Sequence, residues 1–345
     1  MAMTAMLIAS CSSDDVVSTN TGRAIDFRTS VGTRGAETTT DNITKFWVTA
    51  IDEAGANYFS KQEFTKDGGF FTSSPVYYWP ADTLNFFAYS PSETDLGATV
   101  TIDKDTKNLA DFSPATEIAN QKDFVTATAS GTRAANETNG VELTFSHQLS
   151  QIEIKAKNTN TGYIYKVVGV RIGKPVSKGT FTFDTNKWTL TTTEKTNYAV
   201  EYATTPRTLA ADAATMMGTA NDNAMLLPQQ LVAWTPETDK VNTNKGAYIA
   251  LKIQITTKDG ARVYPAKAKG DYDWAAVAIN TKWEAGKKYV YTLDFSNGAG
   301  KVDPEKSQPV DPTDPFKPGE DILGKPIKFT VIVTPWAPAD QPVEM

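Results

Sequence analysis

Period-2 alternation of apolar and polar residues recurs along this chain, in short runs separated by turn-forming residues. Strand side chains point alternately to opposite faces, so each such run offers one face to a core and one to solvent. The runs are Phe46 to Ile51, Val76 to Pro80, Leu84 to Tyr89, Val141 to Phe145, Gln151 to Lys155 and Tyr163 to Ile172. They continue with Gly179 to Phe183, Lys187 to Leu190, Met225 to Leu227, Tyr248 to Ile255, Ala261 to Tyr264 and Lys288 to Phe295. Turn signals stand between them at Gly55, Asp67-Gly68-Gly69, Ala81-Asp82, Asn158 to Gly162 and Asp184-Thr185-Asn186. Many short strands at this spacing predict an all-β chain of β-sandwiches. Thr208 to Ala220, with Ala210, Ala211, Ala213 and Ala214, is the best helix candidate.

The 345 residues are enough for two domains, and an apolar fraction of 40% can fill two cores. The turn near Asn158 is the expected boundary, with sandwiches over 35–158 and 159–303. A net charge of −6 argues against nucleic acid or an anionic membrane surface as partner.

Cys11 is the sole cysteine, so no intrachain disulfide can form. It follows Leu7-Ile8-Ala9-Ser10 and precedes Ser12-Ser13-Asp14-Asp15, which looks like a bacterial lipobox. There a signal peptidase cuts before the Cys, and the thiol carries a lipid. Residues 1–10 hold no Lys or Arg and are short for the apolar core of a signal, so they read as a truncated signal segment. Further on, Ile25-Asp26-Phe27 reads as a first strand.

Toward the other end, Pro304, Pro309, Pro312, Pro315 and Pro318 mark a stiff, extended linker not expected to pack. Beyond it lies one more apolar strand, Ile327 to Val333, in a segment 304–345. Such a strand is either the last one of the second sheet or a strand seeking another molecule's edge.

The catalytic and metal-binding classes find little footing. The one histidine, His147, reads as a strand-end residue with a satisfied ring, and no Gly-x-Ser-x-Gly elbow occurs. Asp271-x-Asp273 and Asp311 to Asp314 lack the spaced oxygen ligands of a Ca²⁺ loop. Tyr77-Tyr78-Trp79 could stack on a sugar, but alternation assigns it to packing. The chain is expected to need no cofactor and to be no enzyme.

A set of motifs in order along the chain resembles the fimbrillins of Bacteroidia, the type V pilins. They are Ile25-x-Phe27, Thr33-Arg34, Tyr78-Trp79-Pro80 and Leu84-x-Phe86-Phe87-Ala88-Tyr89-Ser90-Pro91. Further along stand Asp123-Phe124-Val125-x-Ala127 and Val141-x-Leu143-x-Phe145-x-His147-x-Leu149-Ser150-x-Ile152. Leu226-Leu227-Pro228-Gln229, Trp283-x-x-Gly286-x-x-Tyr289-x-Tyr291-x-Leu293 and the C-terminal strand complete the set. The resemblance implies two transthyretin-like sandwiches in tandem and an outer-membrane lipoprotein precursor. It also implies that residues 11–34 are a lipidated pro-segment with the first strand, removed by a cut after an Arg by an Arg-specific protease. The vacated groove would then take a C-terminal strand from another subunit, giving an extracellular fimbrium, with a host or bacterial surface receptor as a further partner. The membrane contact would belong to the precursor's lipid alone.

Of the nearby arginines, Arg34 suits that cut best. It sits in Gly32-Thr33-Arg34-Gly35, after the first strand, whereas a cut at Arg28 would leave half of it and one at Arg23 would remove none. The two terminal strands also echo each other. Ile25, Phe27 and Val31 share one face of the first; Ile327, Phe329, Val331 and Val333 share one face of the last. Each can fill alternate pockets of one groove. Three or four such side chains contribute on the order of 5–12 kcal/mol, an upper bound. The alternatives are a tip or anchor adhesin and a monomeric glycan-binding surface lipoprotein.

Overall fold

The computed structural model describes residues 24–31, 43–202, 205–218, 223–238, 241–242, 245–266, 270–306 and 315–336. The side chains of Ser30 and Val31 fall outside that description, as do Cys11, Arg34 and Gly35 altogether.

Among the described residues, nine strands precede residue 148: β1 (Phe27–Val31), β2 (Lys45–Asp52), β3 (Asn57–Asp67), β4 (Phe70–Ser73), β5 (Leu84–Ser90), β6 (Thr99–Ile102), β7 (Lys107–Phe112), β8 (Val125–Gly131) and β9 (Val141–His147). Then come β10 (Ser150–Lys157), β11 (Tyr163–Gly173), β12 (Gly179–Thr182), β13 (Lys187–Leu190), β14 (Tyr198–Glu201), β15 (Arg207–Thr208), β16 (Ala214–Met217) and β17 (Ala224–Leu226). The last six are β18 (Tyr248–Thr257), β19 (Arg262–Tyr264), β20 (Asp273–Ala278), β21 (Lys287–Asp294), β22 (Lys301–Val302) and β23 (Lys328–Pro335). The helices of the described residues are single turns, such as Glu93–Leu96, capped by the Ser92 side chain.

The all-β architecture expected from the alternation holds. β9 shows the cause: Val141, Leu143, Phe145 and His147 are buried while Glu142 and Thr144 are exposed. The first unit closes into a ring, in the order β1-β4-β3-β2-β5-β8-β9. Its interior holds Phe27, Phe46, Phe64, Phe71, Phe86 and Phe145, among others. The second unit is a sandwich. One sheet runs β16-β10-β21-β23 with β17 beside β10, and the other runs β14-β11-β18-β20-β22. Ile152, Ile154, Tyr165, Val167, Ile253, Tyr289 and Tyr291 belong to the core between them.

β10 pairs in parallel with β21, so residues 150–157 are built into the second sandwich. The chain therefore passes from one unit to the other at Gln148-Leu149. A four-stranded sheet, β13-β12-β7-β6, spans that junction with one hairpin from each side. Beneath it lies a shared cluster that includes Leu109, Phe112, Phe124, Leu149, Phe181, Phe183 and Trp336.

Three local expectations fail. Val76 to Pro80 forms no strand beyond a single bridge at Tyr78. The helix expected over Thr208 to Ala220 is replaced by β16, which pairs with β10, and Met216 and Met217 are fully buried there. Helix propensity is a weak prior that burial against an existing sheet overrides. The described ends of the Pro-rich segment pack. Pro304 and Pro318 are buried, and Phe316 meets the Tyr264 ring edge-on at 4.9 Å. Buried Asp303 fixes the start of that segment through Arg171, whose guanidinium donates to its carboxylate and stacks on Trp274 at 4.4 Å.

Candidate functional site

The two terminal strands form the candidate site, and they are seated differently. β1 lies between β9 and β4 in the ring. Its ladder with β9 is parallel, from Phe27 opposite Val141 to Val31 opposite Phe145. Its link to β4 is one antiparallel pair, Phe27 opposite Phe71. Just upstream, the Ile25 N–H donates to the Tyr77 carbonyl at 2.8 Å, and the Val141 N–H donates to the Asp26 carbonyl at 3.0 Å.

Ile25 and Phe27 are buried completely, at 1% and 0% exposure. The Phe27 ring meets Phe64 at 4.7 Å and Phe86 at 5.1 Å, both edge-on, an arrangement that aromatic quadrupoles favour. The fit is tight at Gly140, where φ is +70° and a Cβ would lie 2.8 Å from Asp26 Oδ1. Asp26 sits where burial pushes its carboxyl above the ordinary value of 3.8, against the pull of Arg28. Burying Ile25 and Phe27 contributes roughly 3–6 kcal/mol as an upper bound. That is a large share of the stability of a typical domain, about 5–15 kcal/mol.

β23 is an edge strand. It pairs antiparallel with β21 from Lys328 opposite Asp294 to Pro335 opposite Lys287. The expected apolar face is partly realised: Ile327 is buried, and Phe329 and Val331 pack against the second core. Val333 is 48% exposed, and Ile332 on the other face is 59% exposed.

The strand ends at Trp336, a residue the alternation did not single out and which is fully buried. Its ring lies nearly parallel to the His147 imidazole, at 4.4 Å and 14°. His147 Nδ1 is 2.8 Å from Asp123 Oδ2, both side chains being buried. One nitrogen of the ring is thus satisfied as expected; among the described residues Nε2 has no hydrogen-bond partner, and neither do Asp123 Oδ1 and Trp336 Nε1. A buried Trp contributes about 4–6 kcal/mol from its area. Each unpaired buried polar atom costs about 1–3 kcal/mol, which takes back part of that gain. The signal available in sequence was an aromatic between Pro335 and Pro338, past the end of the alternation.

A ring closed by an N-terminal strand, joined to a sandwich edged by a C-terminal strand, accords with the order of motifs. A model of fimbrillin-like proteins matches residues 32–309. The chain belongs to the fimbrillin-like family. No curated protein matches it in sequence. Among solved structures, this fimbrillin-like chain is similar to a fimbrial protein of Bacteroides vulgatus, with a TM-score of 0.58 and 16% identity over 91% of this chain and all of that one. It is also similar to a cell-adhesion candidate of Parabacteroides distasonis, with a TM-score of 0.54 and 10% identity over 93% of this chain and 99% of that one. At these identities the likeness is one of fold.

Proposed function

We propose that this fimbrillin-like chain is a structural subunit of a surface fimbria that polymerises by strand exchange and supports adhesion. It is exported as a lipoprotein through Cys11, and a protease cuts between Arg34 and Gly35. That cut removes Cys11 with its lipid, and with it the strand carrying Ile25, Phe27 and Val31. The groove against β9 then takes Ile327, Phe329, Val331 and Val333 of another subunit. Other pilin subunits are its partners, and its destination is the extracellular fimbrium. The reading gives the chain a structural task and no catalytic one.

One observation carries this reading: Phe27 fills the centre of the first core, and the chain that joins its strand to β2 runs through the segment that contains Arg34. Loss of β1 opens an apolar slot lined by Val141, Leu143, Phe145 and Phe71, with an unpaired β9 edge beside it. An incoming strand restores burial and ladder together. N-terminal sequencing of polymers should begin at Gly35, and deletion of 327–345 should abolish polymers. Polymers that retain Ile25 to Val31, or that persist without the C-terminal segment, would falsify the reading.

A second reading, a monomeric surface lipoprotein that binds glycans, draws on the docked β23 and on exposed Tyr58 and Tyr78. Glycan-array binding by a chain that never polymerises after cleavage would favour it.

A further inference from the structure

The C-terminal strand is most deeply buried at its two ends, with Phe329 and Val331 partly buried between them. Ile327 precedes it and Trp336 follows it, and both are buried. Between them Lys328, Thr330, Ile332, Val333 and Thr334 are exposed. β23 has a single neighbour, β21, among the described residues. An edge strand paired on one side and so little buried opens readily.

Trp336 is placed to oppose that opening. Its backbone N–H donates to the Gly286 carbonyl at 2.9 Å, and the Gly286 N–H donates to the Leu149 carbonyl at 2.9 Å. Its indole lies on His147, which ends β9 in the first unit, and His147 is fixed by Asp123, just before β8. The end of a strand of the second unit is thereby tied to the first unit, at the junction. The shared cluster under the β13-β12-β7-β6 sheet includes Trp336 together with Phe124 and Leu149.

We propose that Trp336 is a latch: its seat on the His147–Asp123 pair decides whether Lys328–Pro335 stays on β21 or swings free. The unpaired polar atoms around the indole keep the latch openable, because withdrawal of the ring lets water reach Asp123 Oδ1 and His147 Nε2. The consequence for assembly rests on the reading of β23 as the exchanged strand. The latch itself is a property of the uncleaved chain.

Amide hydrogen exchange on the full-length chain tests it. In Trp336→Ala, the amides of 328–334 that face β21 should exchange at least about tenfold faster than in the wild type, while those of β1 and β10 change less than about twofold. Trp336→Phe keeps a ring on His147 and should return 328–334 to within about threefold of the wild type. Asp123→Asn weakens the support of His147 and leaves the indole, and should give an intermediate rise. Unchanged exchange over 328–334 in Trp336→Ala overturns the latch. So does a rise of equal size across β10 and β21, which marks general loss of the second sandwich. If Trp336→Ala fails to fold, Asp123→Asn decides, and an unchanged 328–334 there overturns the latch. A variant whose strand is freed but whose processed form never polymerises leaves the latch standing and overturns the strand-exchange reading.

Discussion

β1 and β23 are similar as sequences and opposite as structures. Ile25-Asp26-Phe27 and Ile327-Lys328-Phe329 share the pattern of Ile, a charged residue and Phe. Phe27 is fully buried among aromatic rings with a strand on either side, whereas Phe329 is half-buried on an edge strand with one neighbour. Burial, rather than pattern, sets how firmly each is held. β1 leaves only if the first core is opened. β23 leaves once one ladder parts, the buried end residues Ile327 and Trp336 are withdrawn, and the partly buried Phe329 and Val331 leave the second core. In the structure the place beside β9 is filled by β1, and β23 lies along the edge of β21.

That contrast can be broken or sharpened by substitution. Phe27→Ala should have the largest effect, destabilising the chain by about 3–5 kcal/mol in urea denaturation. A loss below about 1 kcal/mol would mean that β1 is no better anchored than β23. Asp26→Asn should have a smaller effect of the opposite sign, and one that depends on pH. Burial raises the folded-state pKa of Asp26, so the stability it contributes is fully present below 3.8 and is lost as pH rises through the raised value. Asparagine has no charge to bury. The variant should therefore exceed the wild type at pH 7 and match it at pH 3, and equal urea midpoints at both pH values would remove Asp26 from the account. Ile332→Thr, on the outer face of β23, should have the least effect, within about 0.5 kcal/mol. A larger loss would show that this face is covered in the folded chain.

Much of the fold was legible because alternation is local. β5, β9, β10, β11, β18 and β21 all fall on runs whose apolar period is 2. β3 was not, because Lys61, Gln62 and Glu63 interrupt its pattern and its place comes from pairing with β2 and β4. β16 was misread because four alanines favour a helix locally, while β10 offered a ladder and buried both methionines. Of the candidate site, the residues of the two terminal strands could be named from their faces. Trp336 could not, since its role comes from a histidine on a distant strand.

The sequence by itself determined that the chain is a succession of strands, that two of them near its ends have matching apolar faces, and that an Arg flanked by glycines follows the first. Those are properties of neighbouring residues, and side-chain period and turn chemistry suffice to read them. Only the tertiary structure decided that β1 closes a ring in parallel with β9, that β23 lies on the edge of β21, and that Trp336 is stacked on His147. Which strand pairs with which depends on the burial each partner completes for the other, and residues far apart in the chain supply that together.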